Sequence, residues 1–299
     1  MPKVIIIGTI GLDDVKTPFG DKKAVLGGSG VYASFAASFF TKPGLVSIAG
    51  EDFPAKHQEL LINRNIDIDG IEFKGKTFRW QGEYEYDMNE AKTLNTELNS
   101  LIDFSAKLPE HYKNDKYVLL GNIDPELQLK VIEQLNNPKL IAMDTMNFWI
   151  SSKKEQLIEV IKKVDLLMIN DGEARQLFDT VNLLKAANEA LKLGPKYVII
   201  KKGEHGALLF TQSSHFNAPG YPLEILMDPT GCGDSFAGGM IGWLAKTDDI
   251  TEQNLRKAIV YGSAIASFNA EDFSLERQKT LTIEEIDKRY NEFEKMREF

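Results

Sequence analysis

The residues best suited to chemistry lie in one segment, Asp228-Pro229-Thr230-Gly231-Cys232-Gly233-Asp234-Ser235-Phe236-Ala237-Gly238-Gly239. Two glycines flank Cys232 where a turn gives way to a helix. Glycine allows positive φ there, and brings the N–H groups of Gly231, Cys232 and Gly233 toward one point. First-turn amides lack intrahelical partners and sit at the positive end of the helix dipole, so the three form a candidate anion hole. Asp234 follows in the first turn, with its carboxylate aimed at whatever the amides hold. An anion hole beside a carboxylate suits phosphoryl transfer to a hydroxyl: the amides meet the charge of the moving group, and the carboxylate takes the hydroxyl proton. The flanking Gly-x-Gly weighs against reading Asp234 as a carboxylate that merely favours the dipole.

Such a site needs a scaffold, and the sequence supplies an alternating one. Short apolar runs at Val4–Ile7, Leu45–Ala49, Tyr117–Leu120, Leu140–Met143, Leu166–Ile169 and Tyr197–Ile200 read as buried parallel strands. Helical patterns separate most of them, at Pro125–Leu135, Lys153–Lys162 and Leu183–Leu193; Leu157, Ile158 and Ile161 share one face of the second. This order predicts an α/β fold with a mainly parallel sheet covered on both sides. After Asp228 only helices remain, at Gly233–Leu244, Glu252–Phe268 and Ile283–Met296. Phe236, Met240, Trp243 and Leu244 form a core-facing stripe, and Gly238-Gly239 inside that helix implies close approach to a neighbouring backbone.

One region breaks the alternation. From Ile68 to about Leu98 the chain is rich in aromatics, and Phe78-Arg79-Trp80-Gln81 and Tyr84-Glu85-Tyr86-Asp87 alternate apolar with polar. With Leu12–Val25 it reads as a small antiparallel sheet projecting from the body, its aromatic face covered by a substrate, by the body, or by a second subunit. The 299 residues therefore form a single domain, with lid segments at about 12–26 and 68–98.

Composition bounds the function. A net charge of −9 disfavours nucleic-acid or membrane-surface binding, and one cysteine excludes an intrachain disulfide and a cysteine-based zinc site. No run reaches the ~18 apolar residues of a membrane span. Met1-Pro2-Lys3 enters the first strand without a signal-peptide pattern, so a cytoplasmic protein is expected. The four histidines form no close-spaced ligand pair.

The Asp228–Gly239 segment resembles the C-terminal signature of the ribokinase-like (PfkB) carbohydrate and nucleoside kinases, roughly D-T-x-G-A-G-D-x-F-x-x-G. Other stretches resemble the family in the same order: Gly27-Gly28 its di-glycine near the sugar, Gly50-x-Asp52, Asn170-Asp171-Gly172-Glu173 its N-x-x-E motif, and Lys202-Gly203-x-x-Gly206 its nucleotide-side loop. The resemblance implies a three-layer α/β/α fold with a β-sheet lid. It also implies ATP-dependent phosphorylation of a small sugar or nucleoside, with Asp234 as base and Mg²⁺ placed by Asn170 and Glu173. It further implies Asp13, Gly27, Gly28, Tyr32, Asn122 and Asn147 on the acceptor side, with Ala264 and Ser267 near adenine. Asp228 and Thr230 stand where many relatives bind a monovalent cation such as K⁺. A homodimer through the lid is a further expectation.

Two departures fall on the acceptor side. Tyr32 replaces the family's sugar-contacting Asn, and Asp144-Thr145-Met146-Asn147-Phe148-Trp149 lacks the arginine of the D-x-N-x-R-x-x-W segment. Tyr32, Phe78 and Trp80 could instead stack on a purine base, and a catalytically idle nucleotide or sugar sensor is the rival from another class. Gly28-Ser29-Gly30-Val31-Tyr32-Ala33 formally fits a dinucleotide fingerprint, but Lys22-Lys23-Ala24-Val25-Leu26 before it makes a poor central strand. No Walker G-x-x-x-x-G-K-[ST] is present. Cys232 has no legible activating base, so its amide rather than its thiol is expected to matter.

Overall fold

The side chains of the first strand, Val4–Ile7, alternate between two separate cores: Val4 and Ile6 enter one, Ile5 and Ile7 the other. A strand buried on both faces needs helices above and below it, and that is the arrangement in the computed structural model, which describes residues 3–298. Met1 and Pro2, part of the signal-peptide reading, lie outside the described residues. The strands are β1 Val4–Ile7, β2 Gly11–Thr17, β3 Gly20–Gly27, β4 Pro43–Ala49, β5 Asp67–Phe73, β6 Phe78–Glu83, β7 Lys92–Glu97, β8 Tyr117–Leu120, β9 Leu140–Met143, β10 Leu166–Asn170, β11 Tyr197–Lys201, β12 Ala207–Phe210 and β13 His215–Ala218. The helices are α1 Ser29–Ala37, α2 Ala55–Asn63, α3 Pro125–Ile132, α4 Asn147–Ser152, α5 Lys154–Ile161, α6 Asp171–Phe178, α7 Leu183–Leu193, α8 Cys232–Thr247, α9 Glu252–Asn269, α10 Glu276–Thr280 and α11 Ile283–Lys295.

The main sheet runs β13-β12-β11-β10-β9-β8-β1-β4-β5, parallel from β11 to β5, with β12 antiparallel to both of its neighbours. One face carries α3 to α7 through residues such as Val131, Leu157, Ile161, Leu177 and Ala187. The other carries α1, α8 and α9 through Ala33, Phe236, Met240, Leu244 and Ile259. The three-layer α/β/α expectation holds. The α8 stripe is buried at Phe236, Met240 and Leu244, while Trp243 lies at its margin. Gly238 has the expected close neighbour: a Cβ there would lie 2.0 Å from the Ala33 carbonyl oxygen.

A second sheet of four strands, β3-β2-β6-β7, forms the projecting element. Its composition differs from expectation in two ways. Ile68–Phe73 belongs to β5, at the edge of the main sheet, so the second lid strand pair begins at Phe78. An edge strand and a lid strand are both half-exposed and share one alternating pattern, which is why the sequence did not separate them. The small sheet is also mixed rather than antiparallel, because β6 enters alongside β2 in the same direction, pairing Gly11 with Phe78 through Lys16 with Glu83. The β12–β13 hairpin at the opposite edge had no clear signal beforehand.

Among the described residues no helix is long and apolar enough to cross a membrane.

Candidate active site

Ligands of open parallel sheets gather beyond the carboxyl ends of the strands. Here β1 ends before Gly8, β9 before Asp144, β10 at Asn170 and β11 at Lys201, and the N-terminus of α8 arrives at the same end.

Gly231 caps α8 with φ 75°, and no side chain caps the helix. A Cβ at Gly231 would sit 2.4 Å from the Tyr32 ring, so only glycine fits. The amides of Gly231 and Gly233 have no acceptor among the described residues. Cys232 differs from expectation: its amide donates to the Pro229 carbonyl at 3.1 Å, which closes the turn and takes it out of the cradle. Its Sγ donates to the Ala266 carbonyl at 3.5 Å, and burial pushes the thiol up to about 12.

Behind the cradle lies a compact charge cluster. Lys201 Nζ donates to Asp144 Oδ2 at 2.5 Å, and lies 3.2 Å from the position a Cβ on Gly233 would take. Burial works against the lysine charge, but Asp144 and Glu173 outweigh it and its pKa rises. Burial, then the nearby Asp144, pushes Asp234 up to about 7 against the pull of Lys201. Burial also raises Glu173 to about 7, with Lys201 opposing. Three carboxylates around one ammonium leave a negative surplus, the donor set a hydrated divalent cation needs. Lys201 and Asp144 were missed as site residues. Their signals were a charged residue directly after an apolar run and, for Asp144, the first place in the Asp144–Trp149 segment.

Asp13, expected on the acceptor side, projects from β2 and is only 4% exposed. A Cβ on Gly27 would overlap its Oδ2 at 1.9 Å, so Gly27 makes room for the carboxyl, while one on Gly28 would lie 2.4 Å from the Thr9 carbonyl oxygen. Asp13 Oδ1 is buried without a partner among the described residues, and burial with the repulsion of Asp228 and Asp234 raises the group to about 8. Tyr32 is 1% exposed with its ring under Gly231, which leaves no open face for a base. Asn122 is engaged by the Asp144–Trp149 segment: it donates to Met146 Sδ at 3.0 Å and accepts from Trp149 Nε1 at 2.9 Å. Asn147 opens α4 and is exposed. The rival dinucleotide motif has a packing explanation, since a Cβ on Gly30 would press on Leu45 and the Gly8 backbone, and all of α1 is buried.

Asn170 and Glu173, expected on the nucleotide side, form a reciprocal cap at the start of α6, with bonds of 2.7 and 2.8 Å. The capping role and the approach of Glu173 to Lys201 coexist. Lys202 leads into Gly203 and Gly206, both at positive φ (53° and 83°). Ala264 is fully buried in the core, and Ser267 donates to the Ala264 carbonyl while accepting from Arg289 at 2.9 Å. Both are therefore engaged within the packed side of α9. Asp228 is fully buried, accepting from the amides of Thr230 at 2.9 Å and Ser274 at 3.2 Å. Burial raises its pKa, and no cationic side chain pairs with it among the described residues.

The lid reaches this centre through Tyr84, just past β6, whose hydroxyl lies 3.3 Å from Thr230 Oγ1. Asp52 fixes the base of the lid, with Oδ1 accepting from the amide and hydroxyl of Thr77 at 2.7 and 2.8 Å. The cluster of Asp67, Asp69 and His111 is separate from this site; Asp67 there already accepts from Tyr112 at 2.6 Å and pairs with Lys42 at 3.1 Å.

The glycine cradle, the buried ammonium and the carboxylate surplus fit a nucleotide triphosphate with Mg²⁺. Comparison with known proteins agrees. A cytidine kinase of Thermococcus kodakarensis is 29% identical over 259 residues, covering 84% of this chain and 92% of that protein. The nucleoside kinase of Methanocaldococcus jannaschii shares the fold with a TM-score of 0.79 at 21% identity, covering 97% of this chain and 98% of that one. A chain described as a ribokinase II from E. coli, solved with ATP and Mg²⁺, aligns with a TM-score of 0.79 at 20% identity over 98% of this chain and all of its own. The model of the pfkB family carbohydrate kinases matches residues 13–279, and the chain belongs to that family.

Proposed function

We propose that this ATP-dependent sugar or nucleoside kinase acts on the hydroxyl of a nucleoside, with Asp234 as the base. The observation that carries the chemistry is the meeting of Asp234, Lys201, Asp144 and Glu173 at the mouth of the Gly231–Gly233 turn. The names of the cytidine kinase and the nucleoside kinase relatives support the acceptor class. A pyrimidine nucleoside among them removes the reason to restrict the acceptor to purines.

Bound ATP with Mg²⁺ supplies an electrophilic phosphoryl group. The chain's own residues do the rest. Asp13, raised to about 8, is protonated at neutral pH, so its carboxyl donates to one acceptor hydroxyl and accepts from another. Asp234 takes the proton of the reacting hydroxyl as its O–H bond breaks and the new O–P bond forms, while the bond from the γ-phosphorus to the bridging oxygen breaks and ADP leaves with that oxygen. The Gly231 and Gly233 amides and the Lys201 ammonium face the charge of the transferred group. Glu173, with Asp144 beside it, would hold Mg²⁺ largely through its waters. The lid, carrying Trp80 and Tyr84, covers the acceptor and excludes water.

Asp228, buried and without a cationic partner among the described residues, with Thr230 beside it, suits a monovalent cation; replacing K⁺ by a bulky organic cation should lower turnover. The fully exposed outer strand β7 and the exposed Leu94 and Leu98 favour pairing of two lids, which sedimentation velocity would detect. The acceptor reading is tested by ADP release across hexoses, ribose, sugar phosphates and purine and pyrimidine nucleosides. The highest kcat/KM is expected for a nucleoside; a free sugar in first place would overturn that choice, and silence across the panel would favour an idle sensor.

A further inference from the structure

Asn269 closes α9 beside the cradle, and is only 1% exposed. Its Nδ2 donates to the Thr230 carbonyl at 2.8 Å and approaches Cys232 Sγ at 3.5 Å. Its Oδ1 accepts from Gln278 Nε2 at 2.7 Å and from Ser235 Oγ at 3.4 Å. Gln278, fully buried in α10, also donates to Ser235 Oγ at 2.8 Å. Because Gln278 presents an N–H to the oxygen of Asn269, the amide of Asn269 has one orientation, with its own N–H toward Thr230. Thr230 and Gly231 share the peptide unit that this bond holds. The Gly231 amide nitrogen belongs to that unit, and Gly231 is also the left-handed residue that turns the chain into α8.

We infer that Asn269, oriented by Gln278, is a positioning residue for phosphoryl transfer: it fixes the Thr230–Gly231 peptide plane, and so the direction in which the Gly231 amide points. Neither side chain touches the acceptor side or the nucleotide loop. Both are buried, where a hydrogen bond resists reorientation more than it does in water. A peptide plane without this tether is free to tilt, and misplacing a donor by about 1 Å costs about 10²-fold in rate. The sequence carries no motif for this, because Asn269 and Gln278 lie 39 and 48 residues beyond Thr230, on two other helices.

The inference rests on the kinase reading above, so wild-type protein is assayed beside each variant with the best acceptor of the panel. Asn269→Ala is expected to lower kcat about 10²-fold, with KM for the acceptor and Kd for ADP changed less than about three-fold. Asn269→Ala keeping kcat within about three-fold of wild type, or losing ADP affinity in step with kcat, overturns the positioning role. Gln278→Leu keeps the bulk but removes the orienting donor, and stands in if Asn269→Ala does not fold. An approximately ten-fold loss in its kcat with ADP binding intact supports the inference; unchanged kcat overturns it. An active wild type with an unaffected variant sinks this inference alone, whereas an inactive wild type sinks the kinase reading and the inference together.

Discussion

Lys201 and Asp144 leave the carboxyl ends of β11 and β9, on either side of β10, and close over it as a buried ion pair of 2.5 Å. The pair lies under Gly233 and beside Glu173 and Asp234, so every charge in the cluster senses the same ammonium. Removing one partner of such a pair leaves an uncompensated buried charge, and that sets the scale of several expected outcomes.

Asp234→Asn keeps the shape of the first turn of α8 and removes the proton acceptor. A fall in kcat of about 10²–10⁴-fold is expected, with ADP affinity nearly unchanged in calorimetry. Near-normal turnover would end the assignment of Asp234 as base.

The pH profile should carry the same group. Asp234 must be ionised to act, and burial with Asp144 nearby raises it to about 7, so kcat/KM should climb as pH rises through about 7. Asp144→Asn removes a repelling charge and frees Lys201, and should move that limb to lower pH. Lys201→Met removes the opposing cation and should move it higher. A limb that stays in place in both variants would assign it to another group.

Asp13 makes stability depend on pH. Its folded pKa of about 8 stands above the ordinary 3.8, so the folded state binds more protons than the unfolded one between these values. Stability from this group is therefore full below about 4 and lost as pH rises through about 8. Asp13→Asn should flatten the pH dependence of Tm and raise Tm at pH 8, by about 2–4 °C per kcal/mol relieved, while acceptor KM rises sharply. Parallel Tm curves for wild type and variant would contradict this.

Gly238→Ala would drive a methyl group to within 2.0 Å of the Ala33 carbonyl oxygen, a backbone atom that cannot swing aside. A loss of about 1–3 kcal/mol or more in denaturant unfolding is expected from overpacking α8 against α1. A neutral result would mean that the two helices slide apart freely.

Cys232→Ala should retain activity, since desolvation holds the thiol up to about 12, and its amide serves the turn through Pro229. Alkylation of the wild type at neutral pH should accordingly be slow. A folded variant that binds ADP but is inactive would give the thiol a role.

What the sequence by itself determined was local. The runs at Val4–Ile7, Tyr117–Leu120 and Leu140–Met143 are strands with those bounds, because short continuous apolar runs buried on two faces admit few alternatives. Leu183–Leu193 is likewise one helix, bounded by Asn182 and Gly194. The Gly-x-Gly-Asp turn was legible because its residues are neighbours in the chain. The tertiary structure decided everything that depended on elements meeting. It put β5 in the main sheet and made the lid mixed. It turned the Cys232 amide to Pro229, buried Tyr32 beneath Gly231, and engaged Asn122 with Met146 and Trp149. It also assembled Lys201 with Asp144, 57 residues earlier, and Asn269 with Thr230, 39 residues earlier. The reason is physical: a hydrogen-bonded turn is specified by the φ preferences of adjacent residues, whereas a buried charge or amide takes its partner from whatever the packed layers bring within about 3 Å of it.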